Sequence, residues 1–223
     1  MDTDATATAG PKPLLRGWLH LGAFPAAIIA GLILVATGPT QTARLTTAVY
    51  AAASAALFGV SALYHRTNLT PRATTRLKRL DHANIYLIIA GTYTPVAALA
   101  LEGTVRIGLL AVVWTGAVAG VCFRTLWIGA PRWLYTALYI LLGWAAVLVL
   151  PQLASGAGTA ATALILAGGV LYTAGAVIYA LKRPNPSERW FGFHEVFHAC
   201  TLAAYITQFT AVAMVVSTVS APN

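Results

Sequence analysis

Residues 18–37 read WLHLGAFPAAIIAGLILVAT, a stretch of 20 residues without a charged side chain. An α-helix rises about 1.5 Å per residue, so a run of this length can cross roughly 30 Å of hydrocarbon. Six further apolar runs follow it along the chain. The seven predicted membrane spans cover residues 18–37, 43–65, 80–100, 105–122, 132–150, 159–181 and 194–218.

The overall composition also indicates a membrane protein. Of the 223 residues, 58% are hydrophobic and 9% are charged, and the mean hydropathy of +0.73 is too apolar for a soluble domain of this size. The net charge of +8 raises nucleic-acid binding as an alternative, but the basic residues are scattered and form no patch with interleaved aromatic residues. The runs lack the alternation of an outer-membrane barrel, so we predict an all-α membrane protein, a bundle of seven transmembrane helices.

The first 16 residues differ from the rest of the chain. They are polar and small and include Pro11 and Pro13, which predicts a disordered N-terminal tail over residues 1–16. The first apolar run is longer than a signal-peptide core of about 7–15 residues, so we expect it to remain as a span. Because every connection is short, residues 17–220 are predicted to form a single transmembrane domain.

The distribution of lysine and arginine predicts the orientation in the membrane. The tail and the second, fourth and sixth connections together hold twelve of these residues, whereas the opposite side has only Arg44 and Arg106. Cytoplasmic loops carry such an excess of positive charge. We therefore expect a cytoplasmic N-terminus and an external C-terminus in the plasma membrane, which is the reverse of the orientation of G-protein-coupled receptors.

Three histidines and one aspartate are predicted to meet near the cytoplasmic side. His65 ends the second span and Asp81 begins the third. His194 and His198 lie four residues apart at the start of the seventh span, and hence on one helix face. Three neutral imidazoles with an open fourth position form the ligand set of a catalytic zinc, which lowers the pKa of its bound water to about 7. We therefore predict that His65, His194 and His198 bind Zn²⁺.

Two further side chains receive catalytic roles in this interpretation. Asp81 is predicted to hold or deprotonate the zinc-bound water, and Ser61, four residues before His65, is predicted to orient the water or a ligand. The alternative is that the histidines are interfacial groups hydrogen-bonded to neighbouring helices. Three of the five histidines on one side, beside an intramembrane carboxylate, favour the metal.

The residues between the two α-helical histidines admit a second interpretation. Residues 194–198, HEVFH, match the HExxH pattern, in which the glutamate of a metalloprotease acts as general base. So short a pattern is weak evidence, and a salt bridge from Glu195 to Arg189 or a solvated helix end is the favoured interpretation. His82 is interpreted as a structural or supporting residue, and His20 as an interfacial side chain near the start of the first span.

Three sequence blocks carry a family resemblance. They are SALYH at residues 61–65, LDHANI at 80–85 running into AGTYTP at 90–95, and FHEVFH at 193–198. Together they resemble the bacterial hemolysin III family, which is grouped with the progestin and adipoQ receptors, including the adiponectin receptors. The resemblance covers the chain from the first span to the seventh. It implies a seven-helix bundle with a cytoplasmic N-terminus and a zinc ion near the inner leaflet, bound by His65, His194 and His198, with Asp81 at the zinc-bound water and Ser61 close by.

The resemblance also suggests what the protein does. Relatives resemble alkaline ceramidases, which implies a zinc hydrolase of amide or ester bonds in membrane lipids, with a ceramide-like substrate or a fatty acid as partner. Many relatives have a further histidine where this chain has Gln208, a position that is not one of the three zinc ligands. One alternative is a non-enzymatic receptor or lipid sensor with structural zinc. A cytolytic protein, as the family name implies, is disfavoured because a permanently inserted bundle has no soluble form to deliver to another cell.

Overall fold

The computed structural model describes residues 12–127 and 129–220. Within these ranges the fold is all-α, and seven helices are long and apolar enough to cross a membrane, which confirms the predicted seven-helix bundle. We label the helices in chain order as α1 (Trp18–Ala36), α2 (Gln41–Arg66), α3 (Pro71–Ala100), α4 (Gly103–Leu126), α5 (Arg132–Ala157), α6 (Thr159–Leu181) and α7 (Phe193–Ser217).

Helix α3 begins well before the predicted third span, which started at residue 80. Thr70 caps the helix, because its hydroxyl accepts a hydrogen bond of 3.3 Å from the Ala73 N–H, and Pro71 occupies the first helical position, where its fixed φ is favourable. The first turns carry Arg72 and Arg76 and are polar. A search for apolar runs therefore misses them, although the capping residues define the start.

Helix α5 is longer than the predicted span and irregular. It is α-helical over Arg132–Gly143, tightens to a 3₁₀-helix over Trp144–Val149, and is α-helical again over Leu150–Ala157. Pro151 stands at the start of the last section, where the backbone N–H that proline lacks would have no partner within the helix. It therefore does not end the span. Gly158 ends it instead, with a φ of 81° that glycine adopts without steric cost.

Helix α3 lies at the centre of the bundle, in contact with α2, α4, α5 and α7. Since successive helices are joined by short connections and run antiparallel, the two ends of the bundle can be named by the helices that meet there. At the histidine end, α2 finishes and α1, α3 and α7 begin. At the far end, α1, α3 and α5 finish and the helices that follow them begin. The candidate site lies at the histidine end.

The N-terminal tail was predicted to be disordered, and its first 11 residues lie outside the described part of the chain. Leu14 and Leu15 donate backbone hydrogen bonds of 2.9 and 3.2 Å to the carbonyls of Arg189 and Trp190. The last residues before α1 are therefore attached to the connection between α6 and α7. They cross the histidine end of the bundle.

Candidate metal centre

Two helix termini bring three histidines together. His65 is the last residue but one of α2, and His194 is the second residue of α7. His198 follows one helical turn later, on the same face of α7. The candidate nitrogen atoms of the three rings all lie within 4.8 Å of one another. The structure thus assembles the three predicted ligands, from helices far apart in sequence, into a cluster that could hold a metal ion.

The spacing of the ring nitrogens suits a single ion. The Nε2 atoms of His65 and His194 are 3.2 Å apart. Two nitrogens at about 2.0–2.1 Å from a tetrahedral zinc would be separated by about 3.3 Å. The centroids of the three rings are 4.5 to 5.1 Å apart, and His198 is buried, with 2% of its surface exposed. The donor set and its geometry therefore fit zinc, although other divalent metals also accept imidazole ligands.

A fourth histidine belongs to the cluster, and its position corrects the sequence interpretation. His20 is buried and stacks on the His198 ring, with centroids 3.8 Å apart and planes inclined by 9°. It also contacts the Phe58 ring in an edge-to-face arrangement. Neither ring nitrogen has a hydrogen-bond partner among the described residues. His20 is therefore an internal support for a candidate ligand and not an interfacial side chain, and no local sequence pattern distinguishes these two roles.

Asp81 and Ser61 lie at the same end of the bundle. Both line an internal cavity whose wall also includes His194 and His198. Ser61 is buried, whereas Asp81 is half-buried. The two residues predicted to act on water therefore share a cavity wall with two of the three candidate ligands. Their catalytic roles remain predictions.

Glu195 has a different environment from a metalloprotease base. One carboxylate oxygen accepts a hydrogen bond from Nε of Arg16, with which it forms an ion pair, and the other accepts the backbone N–H of Gly192 at 2.8 Å. The predicted salt bridge with Arg189 is therefore wrong in its partner. Because both oxygens are engaged in ordering the start of α7, the HExxH match does not describe this glutamate.

The structure also reveals a buried arginine that the sequence interpretation had counted only as a loop charge. Helix α4 extends to Leu126, and this draws Arg124 into the bundle, where it is 2% exposed. Its guanidinium donates a hydrogen bond to Nδ1 of His82 and lies over the Tyr135 ring, 4.3 Å from the ring centroid. Since arginine only donates, Nδ1 of His82 must accept, and the ring proton is on Nε2. His82 lines the cavity next to Asp81 as a fixed neutral side chain.

The cavity extends from the histidine cluster into the apolar middle of the bundle and has a volume of about 120 Å³. Along α3 its wall runs from Asp81 to Val96, roughly 22 Å at the rise of an α-helix. Beyond the polar end the α3 side of this wall is mostly aliphatic. Gln208 reaches the wall on α7, and its amide donates to the Ile165 carbonyl at 3.0 Å, so both a cavity and an interhelical bond exist there.

Known proteins resemble the chain over most of its length. A sequence profile described as haemolysin-III related matches residues 9–209, which include α1 through most of α7. Hemolysin-3 of Bacillus cereus is 32% identical over 157 residues, which represent 70% of this chain and 71% of that protein. Hemolysin-3 homolog of Bacillus subtilis (strain 168) is 33% identical over 145 residues, 61% of this chain and 68% of the relative. With its seven apolar helices, the chain is a multi-pass membrane protein that belongs to the haemolysin-III-related family.

Proposed function

We propose that the protein is a zinc-dependent hydrolase of amide or ester bonds in membrane lipids, with ceramide-like molecules as the substrate class. One observation carries the proposal: two of the three clustered histidines, His194 and His198, line an internal cavity together with the Asp81 carboxylate, and this cavity extends into the apolar middle of the bundle. A metal-ligand set, an acid–base group and a hydrophobic slot are the three parts that such a reaction needs.

The identity of the metal is inferred from the donors. Three imidazoles from His65, His194 and His198, with nitrogens at a spacing suitable for tetrahedral geometry, favour zinc over the oxygen-preferring cations. When bound there, zinc supplies Lewis acidity and an activated water at neutral pH. His194 and His198, on one face of α7, and His65, at the end of α2, would hold the ion.

Asp81 is the proposed general base and acid. Its carboxylate takes a proton from the attacking water as the water oxygen bonds to the carbonyl carbon of the lipid. It then gives that proton to the leaving nitrogen or oxygen as the scissile bond breaks. Ser61 is proposed to orient the water or a ligand from the neighbouring helix, and both Asp81 and Ser61 line the cavity.

The apolar part of the cavity is proposed to bind the acyl chain. Ile85, Ile88 and Ile89 line it on α3, directly beyond Asp81, so a chain lying along them would present its carbonyl group to the histidine end. The acyl chain of a membrane lipid already lies in hydrocarbon, so the slot matches its polarity and adds no transfer free energy from water. The aliphatic wall thus positions the substrate, while the polar end accounts for chemistry.

We also propose an orientation of the protein in the membrane. The excess of arginine and lysine on one side of the spans favours a cytoplasmic N-terminus in the plasma membrane. The histidine end of the bundle would then lie near the inner leaflet, and substrates would come from lipids of that leaflet.

A second function is supported by the position of the ligands. His65 and His194 are separated by 129 residues in sequence and join two different helices, which is what a structural metal does. In this alternative the protein is a membrane receptor or lipid sensor, the zinc stabilises the bundle, and no lipid is hydrolysed.

Hydrolysis can be tested with the purified protein and labelled ceramides and phospholipids. We expect release of fatty acid by the wild type and its loss in Asp81→Asn, with zinc content unchanged. Glu102→Gln is the matched control, because Glu102 precedes α4 at the far end of the bundle. Absence of release by the wild type, or equal release by Asp81→Asn, contradicts the enzymatic function. Zinc-dependent stability without turnover would instead favour the sensor.

A further inference from the structure

We propose that residues 13–17, here called the N-terminal clamp, form part of the metal centre, and that Arg16 acts through Glu195 as a positioning residue for the histidines of α7. The inference rests on the proposed zinc site. It gives the glutamate of the HEVFH block a structural role in metal binding, and it extends the centre to a segment outside the seven helices.

The ion pair between Arg16 and Glu195 lies largely out of contact with water. Glu195 is 1% exposed and the Arg16 side chain is 17% exposed, so both charges are mostly desolvated. Removal of the cationic partner of a buried carboxylate strongly destabilises a fold, because an uncompensated charge remains buried. The contact is therefore an obligatory one for Glu195 and not a solvated surface pair.

The position of Glu195 fixes the first turn of α7. Glu195 lies between the two candidate ligands in sequence, and its second oxygen accepts the Gly192 N–H at 2.8 Å. The next N–H, of Phe193, is bound by the Asn185 side chain at 2.7 Å. Unpaired N–H groups at a helix start are thus satisfied by side chains that also hold the turn in place. Since His194 belongs to this turn, its ring position depends on the same contacts.

The clamp also contacts the helix that supplies the third ligand. Gly17 has a φ of 80°, and a Cβ atom at this residue would lie 2.6 Å from Cβ of His65. Immediately after it, the Trp18 ring lies under the Arg66 guanidinium, 4.4 Å from the ring centroid. The segment therefore touches the end of α2 on one side and the start of α7 on the other.

Backbone hydrogen bonds also attach the clamp to the connection that precedes α7. Leu14 and Leu15 are hydrogen-bonded to the carbonyls of Arg189 and Trp190, in the connection that leads into α7. Three independent attachments thus hold one short segment: backbone to the last connection, Arg16 to α7 and Gly17 to α2. Because the candidate ligands come from these same two helices, the clamp sets the distance between His65 and the α7 pair.

The experiment measures zinc affinity in the full-length protein, by competition with a chromogenic chelator. The variants are Arg16→Met, Glu195→Gln and the double variant, with Arg72→Met as the matched control, since Arg72 is an exposed arginine in the first turn of α3 at the same end of the bundle. Groups that support metal ligands typically change metal affinity 10- to 100-fold when removed. We expect a weakening of about tenfold or more in each single variant, no further loss in the double variant and no change in the control.

A comparison of thermal unfolding with and without zinc separates positioning from general stability. A clamp that positions ligands makes the zinc-dependent rise in melting temperature smaller in Arg16→Met. A purely structural contact would lower both melting temperatures equally and leave the rise intact, and that result overturns the inference. Arg16→Lys retains the charge and should recover part of the affinity, which keeps the test valid if Arg16→Met is poorly folded.

The two proposals fail in different ways. If the wild type binds zinc and Arg16→Met binds it equally tightly, the clamp has no role in the centre and the zinc site stands. If the wild type binds no zinc, the proposed function is overturned and the clamp inference falls with it.

Discussion

At the far end of the bundle, α5 and α3 approach so closely that a Cβ on Gly156 would lie 1.7 Å from the Ala100 carbonyl oxygen. At the histidine end, α2 and α7 meet through imidazole rings, and Arg16, which precedes α1, forms a largely buried ion pair with Glu195 of α7. Both ends close with short connections. The far end does so by contact between small residues and by caps such as Thr40, whose hydroxyl accepts the Ala43 N–H at 3.1 Å. The histidine end instead buries ionisable side chains, among them His20, His198 and Glu195.

The two ends differ in the free-energy cost of the groups that they bury. Small residues allow helices in a membrane to pack closely at little cost in free energy, and the far end is closed in this way. Burying imidazole, carboxylate and guanidinium groups is unfavourable unless they find partners. His20 has no partner for either ring nitrogen among the described residues, and Arg124 has no carboxylate there. At the histidine end, His20 stands beside a candidate ligand, since it stacks on the His198 ring.

Removal of the metal is expected to produce the largest difference in behaviour between the two ends of the bundle. We expect chelation to increase amide hydrogen exchange at the end of α2 and the start of α7, and to leave the α5–α6 connection at the far end unchanged. A ligand present at a thousandfold excess over its dissociation constant stabilises the folded state by about 4 kcal/mol, and this protection is lost with the metal. Exchange mass spectrometry before and after chelation provides the measurement. Equal changes at both ends, or none, would show that the metal is not localised to the histidine cluster.

A packing substitution should affect the far end without changing the chemistry. Gly156→Ala forces a backbone shift against Ala100, and overpacking of this kind typically destabilises by about 1–3 kcal/mol. Gly108→Ala is the control, because a Cβ there meets no atom within 4 Å. Thermal unfolding should show a lower melting temperature for Gly156→Ala alone, with the zinc content of both variants unchanged. Equal behaviour of the two variants would contradict the close contact.

The stacking of His20 on His198 should produce a smaller effect at the histidine end. His20→Ala removes an aromatic pair, a contribution of about 0.5–1.5 kcal/mol, so we expect zinc to bind roughly two- to tenfold more weakly. His20→Phe retains a ring and should bind zinc almost as tightly as the wild type. Chelator competition on both variants measures this. Equal weakening by Phe and Ala would mean that a ring nitrogen, and not the stacked ring, is what matters.

The fold could be predicted because its main signal is local. Seven apolar runs of spanning length identify seven helices, since a backbone in hydrocarbon must satisfy its hydrogen bonds internally. Two boundaries were wrong for reasons outside such a signal. Helix α3 starts in a polar stretch defined by Thr70 and Pro71, and α5 continues past Pro151 after a section of 3₁₀-helix.

The site was predictable to the extent that residue type and helical spacing define it. His194 and His198 share a helix face by their spacing, and the end of a span locates His65, so the sequence alone is enough to group the three. The pairing of Arg16 with Glu195 crosses 179 residues, and nothing near either residue specifies it. The stack on His20 and the burial of Arg124 likewise depend on tertiary packing.

The most direct test of a zinc centre is the metal content of the purified protein and of three variants, His65→Ala, His194→Ala and His198→Ala. Elemental analysis should find one zinc per chain in the wild type and a loss of stoichiometric zinc in each variant, because every one of the three imidazoles is required for the site. Full retention of zinc in any of the three variants, or a wild-type protein without zinc, would contradict the assignment.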